Sequence, residues 1–202
     1  MRKDLPVWRS LLFVPVTQRR FVDGAARRGA DAIILDLEDS VAASEKERAR
    51  GLVPEAAEIV SPGGADVVVR LNRPMRMTVR DLEAVIGPRV QAVALPKAES
   101  ADHVRLAAEI IDELEAERGM PIGTTKMLAM VETADAFFRI HEIAKASPRL
   151  VALNLGAEDF ALSRHADRHD QDAGHGRDRR RVLSDSRDRQ GVAAPCRAQS
   201  RG

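Results

Sequence analysis

The sequence lacks the features that mark several protein classes. Its 202 residues include one cysteine, Cys196, so no internal disulfide can form and a reducing compartment is expected. Neither sign of charge dominates: Lys+Arg total 32 against Asp+Glu 31, a net charge of +1. That balance makes no electrostatic case for a nucleic-acid or membrane partner. The opening "MRKDLPVWRS" has no apolar run of the signal-peptide kind. No stretch is long and apolar enough to span a bilayer. A Gly-rich phosphate loop is missing after the first apolar run, which argues against a dinucleotide fold; "SPGG" at 61–64 reads only as a turn. What remains is a soluble, cytoplasmic chain of one-domain size. Its hydrophobic content of 44% is ample for a core.

Up to Leu162 the order is regular. Short β-branched or continuously apolar runs alternate with segments of helical character. The runs are "SLLFVP" (10–15), "AIILDL" (32–37), "DVVVRLN" (66–72), "QAVALPK" (91–97), "KMLAMVET" (126–133) and "RLVALNLG" (149–156). Runs apolar on both faces are the mark of parallel strands covered by helices. Between them, "RRFVDGAARRGA", "SEKERARGLVPEAAEIV", "TVRDLEAVI", "SADHVRLAAEIIDELEAERG" and "ADAFFRIHEIAKA" read as helices. In the second of these, Ser44 and Glu47 have capping-box spacing, and Pro54 is expected to kink or break the helix. Gly119 is expected to end the fourth.

Six βα units suggest either a doubly wound sheet or a (β/α)8 TIM barrel. The strand ends help to choose. Asp36, Glu38 and Asp39 follow the second strand, Arg70 and Asn72 the third, Lys97 the fourth, Glu132 the fifth, and Glu158 and Asp159 the sixth. A barrel gathers all its C-terminal strand ends into one ring, whereas a doubly wound sheet gathers only those at its switch point. The barrel is therefore expected, incomplete at about six units, with a partial barrel domain over 8–162.

Those strand ends carry candidate chemistry. Glu132 and Asp159 end adjacent strands, and two carboxylates plus water suit Mg²⁺, which keeps much of its hydration shell. No His or Cys lies near these ends, which argues against zinc. The alternative is that these acids cap the following helices. Arg70 could clamp a substrate carboxylate bidentately, or form a salt bridge to Asp36 or Glu38. Three acids within "DLEDS" repel one another unless a cation or Arg compensates; Glu38 and Asp39 could support a metal or belong to a loop and cap. Lys97 could form a Schiff base, but the acid pair offers a metal route instead, and Lys126 starts its strand at the wrong end. His103 and His141 read as helix-surface or satisfied residues, Trp8 and Phe13 as core or lid.

Taken together, "RSLLFVP", "GADAIILDLEDSV", "VVVRLN", "ALPKAE", "VET" and "LGAEDF" resemble the citrate lyase β-subunit-like branch of the HpcH/HpaI aldolase family, from Trp8 to about Leu162. The resemblance implies a Mg²⁺-dependent (β/α)8 barrel that makes or breaks carbon–carbon bonds in short hydroxyacyl-CoA esters such as citryl-, malyl- or citramalyl-CoA. It implies Glu132 and Asp159 as metal ligands, with Glu132 also touching substrate. Arg70 would grip the substrate acid or carbonyl, Arg9 would lie at the substrate or CoA mouth, and Glu38 and Asp39 would support the metal waters or Arg70. Its partner would be a small molecule, a CoA thioester or short hydroxy or keto acid. Members of the family are homo-oligomers, commonly trimers or hexamers.

From Ser163 onward the character changes. Residues 163–202 hold ten arginines, six aspartates, three histidines and no lysine, and their only large aliphatics are Val182, Leu183 and Val192. Forty residues of this kind do not read as two further buried strands with their helices. A disordered tail read in a shifted frame is expected, with a natural basic interaction tail as the competing reading. Interleaved aspartates and the absence of aromatics weigh against nucleic-acid binding there. Two readings thus stand beside the lyase: an inactive lyase-like fragment whose open sheet exposes strand edges, and an interaction module.

Overall fold

The computed structural model describes residues 5–156. The boundary expected at 162/163 and every expectation about 163–202 lie outside the described residues.

Six strands form one sheet: β1 (Leu11–Pro15), β2 (Ala32–Asp36), β3 (Asp66–Arg70), β4 (Ala92–Leu95), β5 (Lys126–Val131) and β6 (Leu150–Leu155). All neighbours are parallel, and their order is β1-β2-β3-β4-β5-β6. Strictly sequential order is how a (β/α)8 barrel is wound; a doubly wound sheet reverses at a switch point. The fold is therefore of the TIM-barrel class, with six of its strands described. Parallel neighbours need long crossovers. These carry α1 (Arg19–Ala25), α2 (Lys46–Val60), α3 (Met75–Val85), α4 (Ala101–Glu117), α5 (Ala134–Phe138) and α6 (Ile140–Ala144).

Alternating side chains sort the strands onto two faces. Ile33, Leu35, Val67, Val69, Val93, Leu95, Met127, Ala129 and Val131 pack outward against the helices, meeting Val53, Ala57, Leu82, Val104 and Ile111. Ala32, Ile34, Val68, Ala92, Ala94, Leu128 and Met130 form a separate interior cluster, with Trp8, Leu11 and Ala152 against it. Burial on both faces explains why these runs are continuously apolar. It also places the chemistry. Asp36 lies two residues beyond Ile34 and Arg70 two beyond Val68, so both share the interior face, and they are register partners at the top of β2 and β3.

Three helix expectations are corrected. Helix α2 runs unbroken through Pro54: Pro54 sits on the exposed side, while Ala49, Val53, Ala56, Ala57 and Val60 keep the buried stripe intact. The Ser44–Glu47 box does not form. A 3-10 turn at Ala43–Glu45 precedes α2, whose N-cap Glu45 makes no side-chain cap bond, and Glu47 pairs with Arg50 at 2.8 Å instead. The single helix expected after β5 is two short ones that meet at Arg139.

Helix α4 is capped as its sequence suggests. Ser100 Oγ accepts the His103 N–H at 3.2 Å, and Gly119 beyond the helix takes a left-handed φ of 64°. Ser100→Ala is expected to destabilise the fold by about 1 kcal/mol, which lowers Tm by roughly 2–4 °C in a chain of this size. A thermal melt checks it; an unchanged Tm means the cap contributes nothing.

The lower end of the sheet is held by polar anchors. Trp8 Nε1 donates to Asp66 Oδ2 at 2.7 Å. Buried Arg149, just before β6, pairs with Asp112 and with fully buried Glu115, which also accepts the Gly123 and Thr125 N–H groups. Among the described residues no helix is long and apolar enough to cross a membrane.

Candidate active site

At the upper ends of β2 and β3 a buried carboxylate and guanidinium interlock. Arg70 Nε and Nη2 each donate to one oxygen of Asp36, both at 2.7 Å. The bidentate fork thus grips Asp36. Nη1 turns to the loop acids, 3.0 Å from Asp39 Oδ2 and 3.2 Å from Glu38 Oε2. The Phe13 ring lies against the guanidinium, 5.1 Å from its centre, in cation–π range. Asp36 also shapes the loop, accepting the Glu38 N–H at 2.8 Å and the Ser40 N–H at 3.2 Å. Lys46 ties the same loop from α2, donating to the carbonyls of Leu37 and Glu38 at 2.7 and 2.6 Å.

The charges respond to this setting. Burial pushes the Asp36 carboxyl up, but Arg70 and Ser40 outweigh it and hold it below the usual carboxylate range. Burial, with repulsion from Asp39 and Glu132, pushes Glu38 up to about 7, although Arg70 and Lys97 act against it. Negative charge is therefore crowded at this rim.

Glu132 follows β5 and is 4% exposed. Its Oε2 accepts the Lys97 backbone N–H at 2.7 Å. Its shaft lies directly over Gly156: a Cβ built on Gly156 would sit 2.6 Å from Glu132 Cγ and 3.0 Å from Oε1. The glycine of "NLG" is thus the space in which this carboxylate rests. Lys97 Nζ lies 3.9 Å from Glu38 Oε1, which links the β4 end to the β2 loop.

Asp36, Glu38, Asp39, Arg70, Lys97 and Glu132 therefore meet at one end of the sheet. Asp159 lies outside the described residues. Arg9 does not join them. It precedes β1 at the lower end, where its side chain is 82% exposed and pairs with Asp31 at 3.1 Å. Strand direction explains this: a residue before β1 and one after β3 sit at opposite ends of a parallel sheet. Asn72 turns away as well, donating its N–H and its side-chain amide to buried Asp81. Sequence marked Gly156 only as the glycine of the "LGAEDF" motif, without its contact to Glu132, and Lys97 only for its ammonium, without its main chain.

His103 stands at the start of α4, half-buried beside Arg73 and Glu99. Burial first, then the Arg73 charge, push it down to about 4, with Glu99 acting weakly against them. Its neutral form is therefore favoured by folding. Stability from this group is present above its ordinary pKa of ~6.5 and is lost as pH falls toward 4. His103→Asn is expected to flatten the Tm-versus-pH curve between pH ~6.5 and ~4; a parallel curve contradicts this.

The sequence pattern of the HpcH/HpaI aldolase/citrate lyase family matches residues 9–195. The chain belongs to this family. Within it, the chain is 36% identical over 162 residues to the citrate lyase subunit beta of Leuconostoc mesenteroides subsp. cremoris, covering 80% of this chain and 54% of that one. It is 35% identical over 155 residues to a (3S)-malyl-CoA thioesterase of Cereibacter sphaeroides, covering 76% and 50%. The chain thus spans about half the length of these curated relatives. Among solved structures, the CitE protein of Mycobacterium tuberculosis in complex with magnesium, acetoacetate and coenzyme A aligns with a TM-score of 0.59 and 35% identity, over 79% of this chain and 52% of that one.

Proposed function

We propose that this chain carries the metal- and substrate-binding face of a Mg²⁺-dependent carbon–carbon lyase that acts on short hydroxyacyl-CoA thioesters of the citryl-, malyl- or citramalyl-CoA kind. The observation that carries this reading is the convergence of Glu132, Glu38, Asp39 and the Asp36-clamped Arg70 at one end of the sheet. The relatives support it: one binds magnesium with coenzyme A, and others act on citrate or malyl-CoA.

The residues fit the ion. Their donors are carboxylate oxygens, the ligands Mg²⁺ prefers, and Glu38 pairs with Arg70 and Lys97 and Asp39 with Arg70. Among the described residues no three His, Cys, Asp or Glu side chains form a metal cluster. Glu132 would hold the ion with Asp159. Glu38 and Asp39 would accept from its waters. Bound there, Mg²⁺ would supply Lewis-acid polarisation of the substrate oxygens.

The chain's own part follows from the geometry. Asp36 holds Arg70 rigid, so the second N–H of Nη2 would face an anionic substrate oxygen, and Nη1 would do so by exchanging a loop carboxylate for it. In cleavage the substrate hydroxyl gives up its proton and the adjacent C–C bond breaks. The hydroxyl carbon leaves as a 2-oxo acid, and the bond electrons pass to the thioester enolate; the proton taken up at the enolate carbon balances the one lost from the hydroxyl and gives the shorter acyl-CoA. Lys97 and Arg70, which flank Glu38, would supply positive charge to that developing anion. Glu38 pairs with both, and Asp39 with Arg70.

A panel of citryl-, malyl- and citramalyl-CoA tests this, read by chromatography of CoA products with and without Mg²⁺. Mg²⁺-dependent formation of a shorter acyl-CoA plus a 2-oxo acid is expected. Release of free CoA with an intact acid assigns a thioesterase instead. Thioester binding without turnover supports the reading of an inactive lyase-like fragment.

A further inference from the structure

Lys97 is the only non-glycine among the described residues with a positive φ, 46°. L-residues seldom adopt this region, and one that does must be held there by its surroundings. Three contacts hold it. The Lys97 N–H is donated to Glu132 Oε2 at 2.7 Å. Its carbonyl accepts from Arg73 Nη1 at 2.6 Å. The next N–H, of Ala98, is donated to the Met130 carbonyl at 2.9 Å, which ties the turn to β5.

Arg73 is itself braced from the far side. Its Nη2 pairs with Glu99 at 3.3 Å, and Nη1 lies 2.9 Å from His103 Nδ1. Nη1 also lies 3.3 Å from His103 Nε2, so the guanidinium packs over the imidazole ring. A continuous path therefore runs from α4 through Arg73 and the Lys97 peptide to one oxygen of Glu132.

We propose that Arg73 is a positioning residue for the Glu132 carboxylate: by gripping the Lys97 carbonyl it keeps the Lys97 main chain left-handed, so that the Lys97 N–H fixes one Glu132 oxygen. The inference rests on the reading of Glu132 as a metal ligand. Groups that orient a metal's ligands commonly change affinity by 10–100-fold when removed. On this account the Lys97 backbone, not its ammonium, sets the carboxylate.

The test measures Mn²⁺ affinity on the full chain without substrate, by electron paramagnetic resonance of free Mn²⁺. Arg73→Ala is expected to weaken binding by about 10–100-fold. Lys97→Gly and Lys97→Val both remove the ammonium, but glycine enters the left-handed region readily and β-branched valine does not. Lys97→Val is therefore expected to bind Mn²⁺ about tenfold or more weaker than Lys97→Gly. Glu132→Gln is the control and is expected to lose binding. Wild-type affinity in Arg73→Ala, or equal affinities in the two Lys97 variants, with Glu132→Gln defective, overturns the positioning role and leaves the metal site standing. Wild-type affinity in Glu132→Gln removes the metal reading and the positioning role with it. Should Arg73→Ala fail to fold by circular dichroism, the Lys97 pair alone decides.

Discussion

On the proposed lyase reading, Gly156→Ala is expected to lower Mg²⁺-dependent turnover by about 100-fold, with a destabilisation of only about 1–3 kcal/mol from local overpacking. Gly156 is not in a left-handed conformation, so an alanine there meets no backbone penalty. The conflict is local. Its Cβ would lie 2.6 Å from Glu132 Cγ, 3.0 Å from Oε1 and 3.2 Å from Cδ, and the carboxylate must move to admit it. Glu132 is held at its other oxygen by the Lys97 N–H at 2.7 Å, so it cannot move without breaking that bond. A misplacement of about 1 Å in a catalytic group can cost on the order of 10²-fold in rate. Steady-state kinetics and a thermal melt of the same preparation separate the two effects. Wild-type turnover in Gly156→Ala means the Glu132 position does not matter to the reaction.

Arg70→Met should combine loss of activity with a stability defect of roughly 3–5 kcal/mol, the usual consequence of leaving one member of a buried ion pair alone. The Asp36 and Arg70 side chains are only 3% and 10% exposed. Without the guanidinium, Asp36 keeps its burial and loses its counter-charge. At roughly 2–4 °C per kcal/mol the melting temperature should fall by about 6–20 °C. The pH dependence gives a second reading. In the native chain Asp36 lies below its ordinary pKa, so its contribution is present above ~4 and is lost as pH falls below that. In Arg70→Met the unpaired carboxyl moves upward instead, and the defect should shrink as acid protonates it. A defect that stays constant from pH ~7 to ~4, or a wild-type Tm, contradicts this account of the pair. Arg70→Met/Asp36→Asn should recover part of the lost stability, because the buried charge is then gone.

Much of this was legible in residue order. Continuous apolar runs at regular spacing imply parallel strands covered on both faces, and the sheet has them in sequential order. A polar residue at the end of each run implied a shared rim, and Asp36, Glu38, Arg70, Lys97 and Glu132 do meet there. Arg9 illustrates what order alone does not reveal. Its neighbours in "RSLLFVP" belong to a strand whose upper end is Pro15, so Arg9 necessarily lies below. Reading Arg70 as either a substrate clamp or an ion pair left the choice to side-chain geometry, and its fork is committed to Asp36. The roles of Gly156 and the Lys97 peptide depend on what lies across the sheet from them, which no local pattern records. Helix α2 passes Pro54 with the proline on its exposed side and its buried stripe intact.

We propose that Glu132 stands at a divalent-cation site on the upper rim of this sheet. An anomalous-difference map from crystals of the chain soaked with Mn²⁺ tests that most directly. The account predicts one strong peak within about 2.0–2.3 Å of a Glu132 carboxylate oxygen, on the side facing Glu38 and Arg70. A peak away from Glu132, or none at a concentration that saturates Mn²⁺ binding in solution, would contradict it.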